Sequence, residues 1–193
     1  MLGVDASYAG LAIVSMSQDG VAAHVRGTFT TVKGPDRLIA IEVWLVQHLA
    51  MLPEIHHIAM ENYSPGSKFG REKLGELGGL VKKTLRQHVP GDAGYPTLVV
   101  PTQVKLFVTG SGKGDKDQVT KEVLRKWGFD APNNDVADAY GLAKVAQALQ
   151  WGSSGCLVYE RELLSRLTRH TEHPDHDSAG HRAPAAPRKR SGS

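Results

Sequence analysis

The chain has 193 residues, 40% of them hydrophobic and 22% charged, with a formal net charge of +3 and a pI near 9.0. This is enough for one domain with a sizeable core, leaves little room for two, and mildly favours a phosphate-rich partner. The single Cys156 excludes an intramolecular disulfide, and no run approaches the roughly 20 apolar residues of a membrane span, so a soluble cytoplasmic protein is expected.

In chain order, Met1 to Val14 reads as a first apolar strand holding one carboxylate, Asp5, with a turn region near Gly10. Leu11 to Met16 and Val21 to Val32 read as two more strands, joined through Asp19-Gly20, a hairpin signal. Together they predict an antiparallel meander. Gly34-Pro35-Asp36 stops it, and Arg37 to Leu52 carries helical spacing at Leu38, Ile41, Leu45 and Leu49 before Pro53. Ile55 to Glu61 is a strand ending in a carboxylate and opening into the polar loop Asn62-Tyr63-Ser64-Pro65-Gly66. Open α/β sheets put their sites at such strand ends.

A second helix is predicted from Ser67 to His88, with Gly75, Gly78 and Gly79 inside it. Each glycine costs about 1 kcal/mol relative to alanine, which predicts a close approach there, either packing on the sheet or a subunit interface. Tyr95 to Val100 is a fifth strand and Thr102 to Val108 a short helix. The loop Thr109 to Gly114 invites a phosphate-loop reading, which fails because position 107 is Phe and Gly114 follows Lys113. Asp115 is placed to cap a helix from Lys116 to Trp127, and Asn133 or Asn134 to cap the last core helix, Asp135 to Gln150. The fold expected is α/β, a five-stranded mixed sheet flanked by helices.

Beyond position 151 the composition changes. Residues 152–170 hold a linker and one more helix, Leu157 to Leu167, whereas 171–193 read as a disordered basic tail ending near Arg188-Lys189-Arg190. His170, His173 and His176 have metal-like spacing, but on a solvated tail they lack a rigid support.

The chemistry lies in four carboxylates. A carboxylate inside an apolar strand costs several kcal/mol unless paired, so Asp5 asks for a partner, either a cation or Ser7 and nearby backbone N–H groups. Glu61 repeats the pattern at a later strand end. Asp135 and Asp138, three apart, leave one face of the last helix in its first turn, where the helix dipole favours negative charge. Four hard oxygen donors suit Mg²⁺ or Mn²⁺ rather than zinc. Two such ions can activate water and stabilise the leaving oxygen of a phosphodiester.

The ordered set Gly3-Val4-Asp5, Ala59-Met60-Glu61 and Asp135-Val136-Ala137-Asp138-Ala139 resembles the RuvC family of Holliday junction resolvases, within the RNase H-like superfamily. Gln103-Val104-Lys105, Thr109-Gly110 and Asp115-Lys116-Asp117-Gln118-Val119 extend the match, which covers about Met1 to Gln150. The resemblance implies an RNase H-like nuclease domain over residues 1–151. It implies metal ligation and catalysis by Asp5, Glu61, Asp135 and Asp138, and phosphate contacts from Lys105 and Lys116. It also implies a homodimer that nicks a four-way junction symmetrically, with two Mg²⁺ per active site, or Mn²⁺ in their place. Lys68, Arg71, Lys82, Lys83 and Arg86 are candidates to extend the basic surface. The family's wedge aromatic falls at position 64, which is Ser here; Tyr63 and Phe69 are the nearest replacements, or selectivity is relaxed toward other branched DNA.

Three other readings compete. A non-cutting branched-DNA binder would gain nothing from four carboxylates facing phosphate. An actin-like or sugar-kinase-like ATPase shares the style of the first strand, but the chain is short for two lobes. Against a different RNase H-like nuclease, acting on RNA–DNA hybrids or flaps, stand the Gln-Val-Lys and Asp-Lys-Asp-Gln-Val segments, through the resemblance alone.

Overall fold

In a computed structural model, the structure describes residues 1–7, 9–20, 22–62, 71–113 and 116–171. The meander is β1 (Leu2–Ala6), β2 (Gly10–Met16) and β3 (Ala22–Thr28), antiparallel as predicted. The predicted first strand breaks in two, because Ser7 and Gly10 close a hairpin. The Ser7 hydroxyl donates to the Gly10 carbonyl at 3.0 Å, so it does not serve Asp5.

Helix α1 (Gly34–Leu49) begins three residues before the predicted Arg37. Pro35 lies in its first turn, where its missing N–H leaves no hydrogen bond unmade. Strand β4 (Ile58–Glu61) and helix α2 (Arg71–His88) follow. A 3-10 turn at Gly91–Gly94 leads into β5 (Thr97–Val99). Then come α3 (Pro101–Thr109), α4 (Lys116–Trp127), α5 (Asn134–Trp151) and α6 (Val158–Thr171). The sheet order is β3-β2-β1-β4-β5, with β4 parallel to both β1 and β5.

Strand alternation divides the core between the two faces of the sheet. Leu2, Val4, Leu11, Ile13, Ile58 and Met60 pack against α1 and α2. Ala12, Val14, Met16, Ala59 and Val99 pack against the other helices, with α5 at the centre. Asn133 caps α5 by accepting the Val136 N–H at 3.0 Å. Helix α6 joins this second layer through buried Leu163, Leu164 and Leu167. A largely buried ion pair at 3.1 Å, Lys126 to Glu160, ties α6 to α4, and Lys126 also donates to the Tyr159 hydroxyl at 2.7 Å. Among the described residues no helix is long and apolar enough to cross a membrane.

Two positions fix the central layer. A Cβ on Gly3 would strike the Ala139 carbonyl oxygen and the Ala143 nitrogen, so α5 rests its backbone directly on β1. Farther along, Gln147 donates to the Gln18 carbonyl at 3.0 Å, holding the other end of α5 at the β2–β3 turn. The glycines of α2 behave differently: a Cβ at Gly75, Gly78 or Gly79 meets nothing within 4 Å. The predicted close packing of these glycines on the sheet is therefore not made among the described residues.

Gly3→Ala should lower stability by about 1–3 kcal/mol or more, read as a reduced denaturation midpoint, because neither backbone can retreat without lifting α5. A second expectation concerns pH. His57 pairs with the Thr97 hydroxyl at 2.9 Å, and burial first, then the nearby amino-terminal charge, holds its pKa below the ordinary range. The unfolded chain takes up this proton near pH ~6.5, and the folded chain only at lower pH. This contribution to stability is therefore complete above that pH and is lost as pH falls toward the folded pKa. His57→Gln should flatten the decline in denaturation midpoint between pH 7.5 and 5.5; an unchanged slope would assign the decline to other groups.

Candidate active site

The parallel strands β1, β4 and β5 all point their C-terminal ends to one edge of the sheet, where Asp5 and Glu61 lie. The β1–β4 register pairs Leu2 with Ile58, Gly3 with Ala59 and Val4 with Met60. Continued by one residue, it sets Asp5 beside Glu61 on the face that α5 covers. Neighbouring strands lie about 4.8 Å apart, so the two side chains stand within reach of one cation. Asp5 is only 7% exposed, whereas Glu61 is half-buried.

Helix α5 supplies the other two. Asp135 lies in its first turn, while Asp138 falls in the second, one residue before the Ala139 that presses on Gly3. This corrects the sequence placement of both in the first turn. The flanking Val136, Ala137, Ala139 and Tyr140 are buried, so Asp138 leaves an otherwise apolar surface. Asp5, Glu61 and Asp138 each have an interaction with a neighbour, so none is a bare buried charge.

Asp135 is committed elsewhere. Its carboxylate accepts from Arg26 Nε at 2.7 Å, across the sheet from β3. The sequence reading did not find Arg26. The signal lies in strand parity, since Asp5 pairs with Ala12 and Ala12 with Arg26, which puts all three in one row on one face. Among the described residues no three Asp, Glu, His or Cys side chains gather tightly enough to close a metal cage. The donor chemistry nevertheless fits a hard divalent cation, because the groups able to ligate one on these strands and the adjoining helix, Asp5, Glu61, Asp135 and Asp138, are all carboxylates.

Around these groups, Lys105 lies half-buried on α3, which starts directly after β5. Gln103 of the same segment accepts the Val100 N–H at 3.0 Å and so caps α3. A cleft of about 250 Å³ runs past Glu61, lined by Ser7, Asn62, Gly78, Lys82 and Pro101 among others. Lys82 thus lines this cleft on the α2 side of the sheet, opposite the face that α5 covers. Lys83 and Arg86 do not extend a free basic surface: Lys83 pairs with Glu42 at 3.1 Å, and Arg86 donates to the Gly91 carbonyl at 3.2 Å and covers the Tyr95 ring. Tyr63, Lys68, Phe69 and Asp115 lie outside the described residues, as do the side chains of Arg71, Lys116 and His170. The tail from residue 172 onward, with His173 and His176, lies outside them too.

No family model matches the chain. The crossover junction endodeoxyribonuclease RuvC of Paenarthrobacter aurescens is 30% identical over 155 residues, covering 74% of this chain and 78% of the relative. That of Pseudarthrobacter chlorophenolicus is 41% identical over 73 residues, covering 37% of this chain and 38% of the relative. A Thermus thermophilus RuvC structure aligns over 87% of this chain and 97% of its own with a TM-score of 0.54 at 20% identity. A second, of that protein in complex with Holliday junction substrate, covers 78% of this chain and 92% of its own, with a TM-score of 0.55 at 21% identity. The structural likeness carries the fold, which is RNase H-like, and the sequence relationship carries the kinship: the chain belongs to the RuvC family of crossover junction endodeoxyribonucleases.

Proposed function

We infer that this chain resolves four-way DNA junctions by metal-dependent hydrolysis of phosphodiester bonds, with Asp5, Glu61, Asp135 and Asp138 as its metal-holding set. The observation that carries the reading is the meeting of strand row and helix at one sheet edge, within a chain of this family. When bound, divalent ions supply a water activated for attack and stabilisation of the leaving oxygen. We take the set to hold two Mg²⁺, with Mn²⁺ as a substitute, because four carboxylates carry enough charge and oxygen donors for a pair.

The chain's own residues do the positioning. Asp5 and Glu61 sit on paired strands, the most rigid support available, so their spacing does not depend on a loop. The N-terminal turn of α5 directs its dipole toward the same point, which favours both the carboxylates and an incoming phosphate. Lys105 and Lys116 are assigned to phosphate oxygens, where a cation offsets charge on the substrate. Lys68, Arg71 and Lys82 extend that contact along the DNA, and Tyr63 or Phe69 takes the wedge role that Ser64 cannot fill.

A homodimer provides the two sites that symmetric nicking requires. The open glycine face of α2 supports this, since a second copy could approach its backbone closely where this chain does not. We place the protein in the cytoplasm, where its DNA would be met. Residues 1–151 form the nuclease unit in this reading, with 152–170 as a buttress and 171–193 as a basic tail that adds non-specific attraction for phosphate.

Asp138→Asn tests the assignment with little change in shape. Cleavage of a four-way junction should fall about a hundredfold or more, while junction binding by gel shift stays within a few-fold of the unmodified protein. Cleavage at the unmodified rate would remove Asp138 from the site.

A further inference from the structure

We propose that Arg26 is a built-in placeholder for the metal, and that its ion pair with Asp135 opens when a divalent cation binds. The inference rests on reading Asp5, Glu61, Asp135 and Asp138 as the metal-holding set.

The geometry is specific. Arg26 stands in the same cross-strand row as Asp5, separated from it by Ala12, a residue too small to block the path. Its Nε reaches Asp135 at 2.7 Å, while Nη1 donates to the Thr28 hydroxyl at 2.8 Å. Gly10 keeps the route clear, since a Cβ there would stand 3.0 Å from Arg26 Nη2 and closer still to the Gly27 carbonyl. Both partners retain contact with solvent, with side-chain exposures of 31% and 24%.

These features decide between two roles. A guanidinium that merely oriented a ligand would sit behind the carboxylate and leave its metal-facing oxygens free. Arg26 instead reaches Asp135 from the edge strand β3, on the sheet face and in the row that contain Asp5, and engages Oδ2 itself at 2.7 Å. Carboxylates brought together for a divalent ion repel one another without it, and Arg26 supplies the missing positive charge. The exchange is easy because a solvent-exposed pair is weak, and because Arg26 keeps Thr28 as a partner after it releases Asp135. The row would then hold either an arginine pair or a fully ligated metal at Asp135, but not both.

The test is Mn²⁺ affinity without DNA, read from the electron paramagnetic resonance of free Mn²⁺, for the unmodified protein, Arg26→Gln and Asp138→Asn. Removing a competing cation should tighten binding about threefold to tenfold in Arg26→Gln. Unchanged or weaker binding would overturn the proposal, the weaker result marking Arg26 as a positioning residue for Asp135. Asp138→Asn separates the two levels. If it loses affinity while Arg26→Gln gains none, the placeholder fails and the metal site stands. If the unmodified protein binds no Mn²⁺, or Asp138→Asn binds as tightly as it does, the metal-site reading fails and the placeholder with it. Should Arg26→Gln not fold, ¹⁵N spectroscopy of the unmodified protein gives the same answer. The Arg26 Nε–H signal should shift and exchange faster with solvent as Mg²⁺ is added, and a signal unmoved at saturating Mg²⁺ would contradict the proposal.

Discussion

The contact between the α5 backbone and Gly3 governs the rest of the molecule. No side chain separates helix from strand there, so the height of α5 above the sheet is set by backbone atoms and cannot drift with side-chain rotamers. From that point α5 runs one way to the Gln147 bond at the β2–β3 turn and the other way to Asp135 and Arg26 at the edge where β1 and β4 end. A helix held at Gly3 and again at Gln147 delivers its two carboxylates to a fixed location. That is the condition a metal-dependent site imposes, because ligand positions must hold to within a fraction of an ångström.

The second layer of helices supports this arrangement from behind. Glu160 accepts from Lys126 and also from the Leu157 N–H at 2.7 Å, so one carboxylate closes an ion pair and holds the residue just before α6. The stacked Phe129 and Tyr140 rings fill the space beside α5, and His24 of β3 meets Phe129 edge-on. The strand that carries Arg26 is thus tied to the helix that carries Asp135 by packing as well as by charge.

Much of this was legible in the sequence, and the misses have physical causes. Asp5, Glu61, Asp135 and Asp138 stand out because a carboxylate amid apolar residues is costly, and their order along the chain suffices to suggest a common site. The position of helix α5 follows from its cap, since Asn133 accepts the Val136 N–H. Strands were read too long toward Val14, Val32 and Ile55: the first is broken by the Ser7–Gly10 hairpin, and the others pair only over Ala22–Thr28 and Ile58–Glu61. The start of α1 was read too late because Pro35 looks like a stop and is a favoured first-turn residue. Arg26 stayed hidden for a different reason. A lone arginine on a strand looks like a solvated edge until cross-strand register reveals the row it shares with Asp5, and register is a property of pairing rather than of either strand. The same holds for Gly3, whose role depends on a helix more than 130 residues away.

The measurement that bears most directly on the account is a map of nicks made by the purified protein with Mg²⁺ on a labelled four-way junction, a fork and a linear duplex. Paired, symmetric, ligatable nicks in the junction with little cutting of duplex are the predicted result. Cutting of forks as well would keep the carboxylate chemistry and relax the selectivity, in keeping with Ser64 at the wedge position. A junction that is bound but left intact would contradict the account, because carboxylates assembled at that sheet edge would then have no reaction to perform.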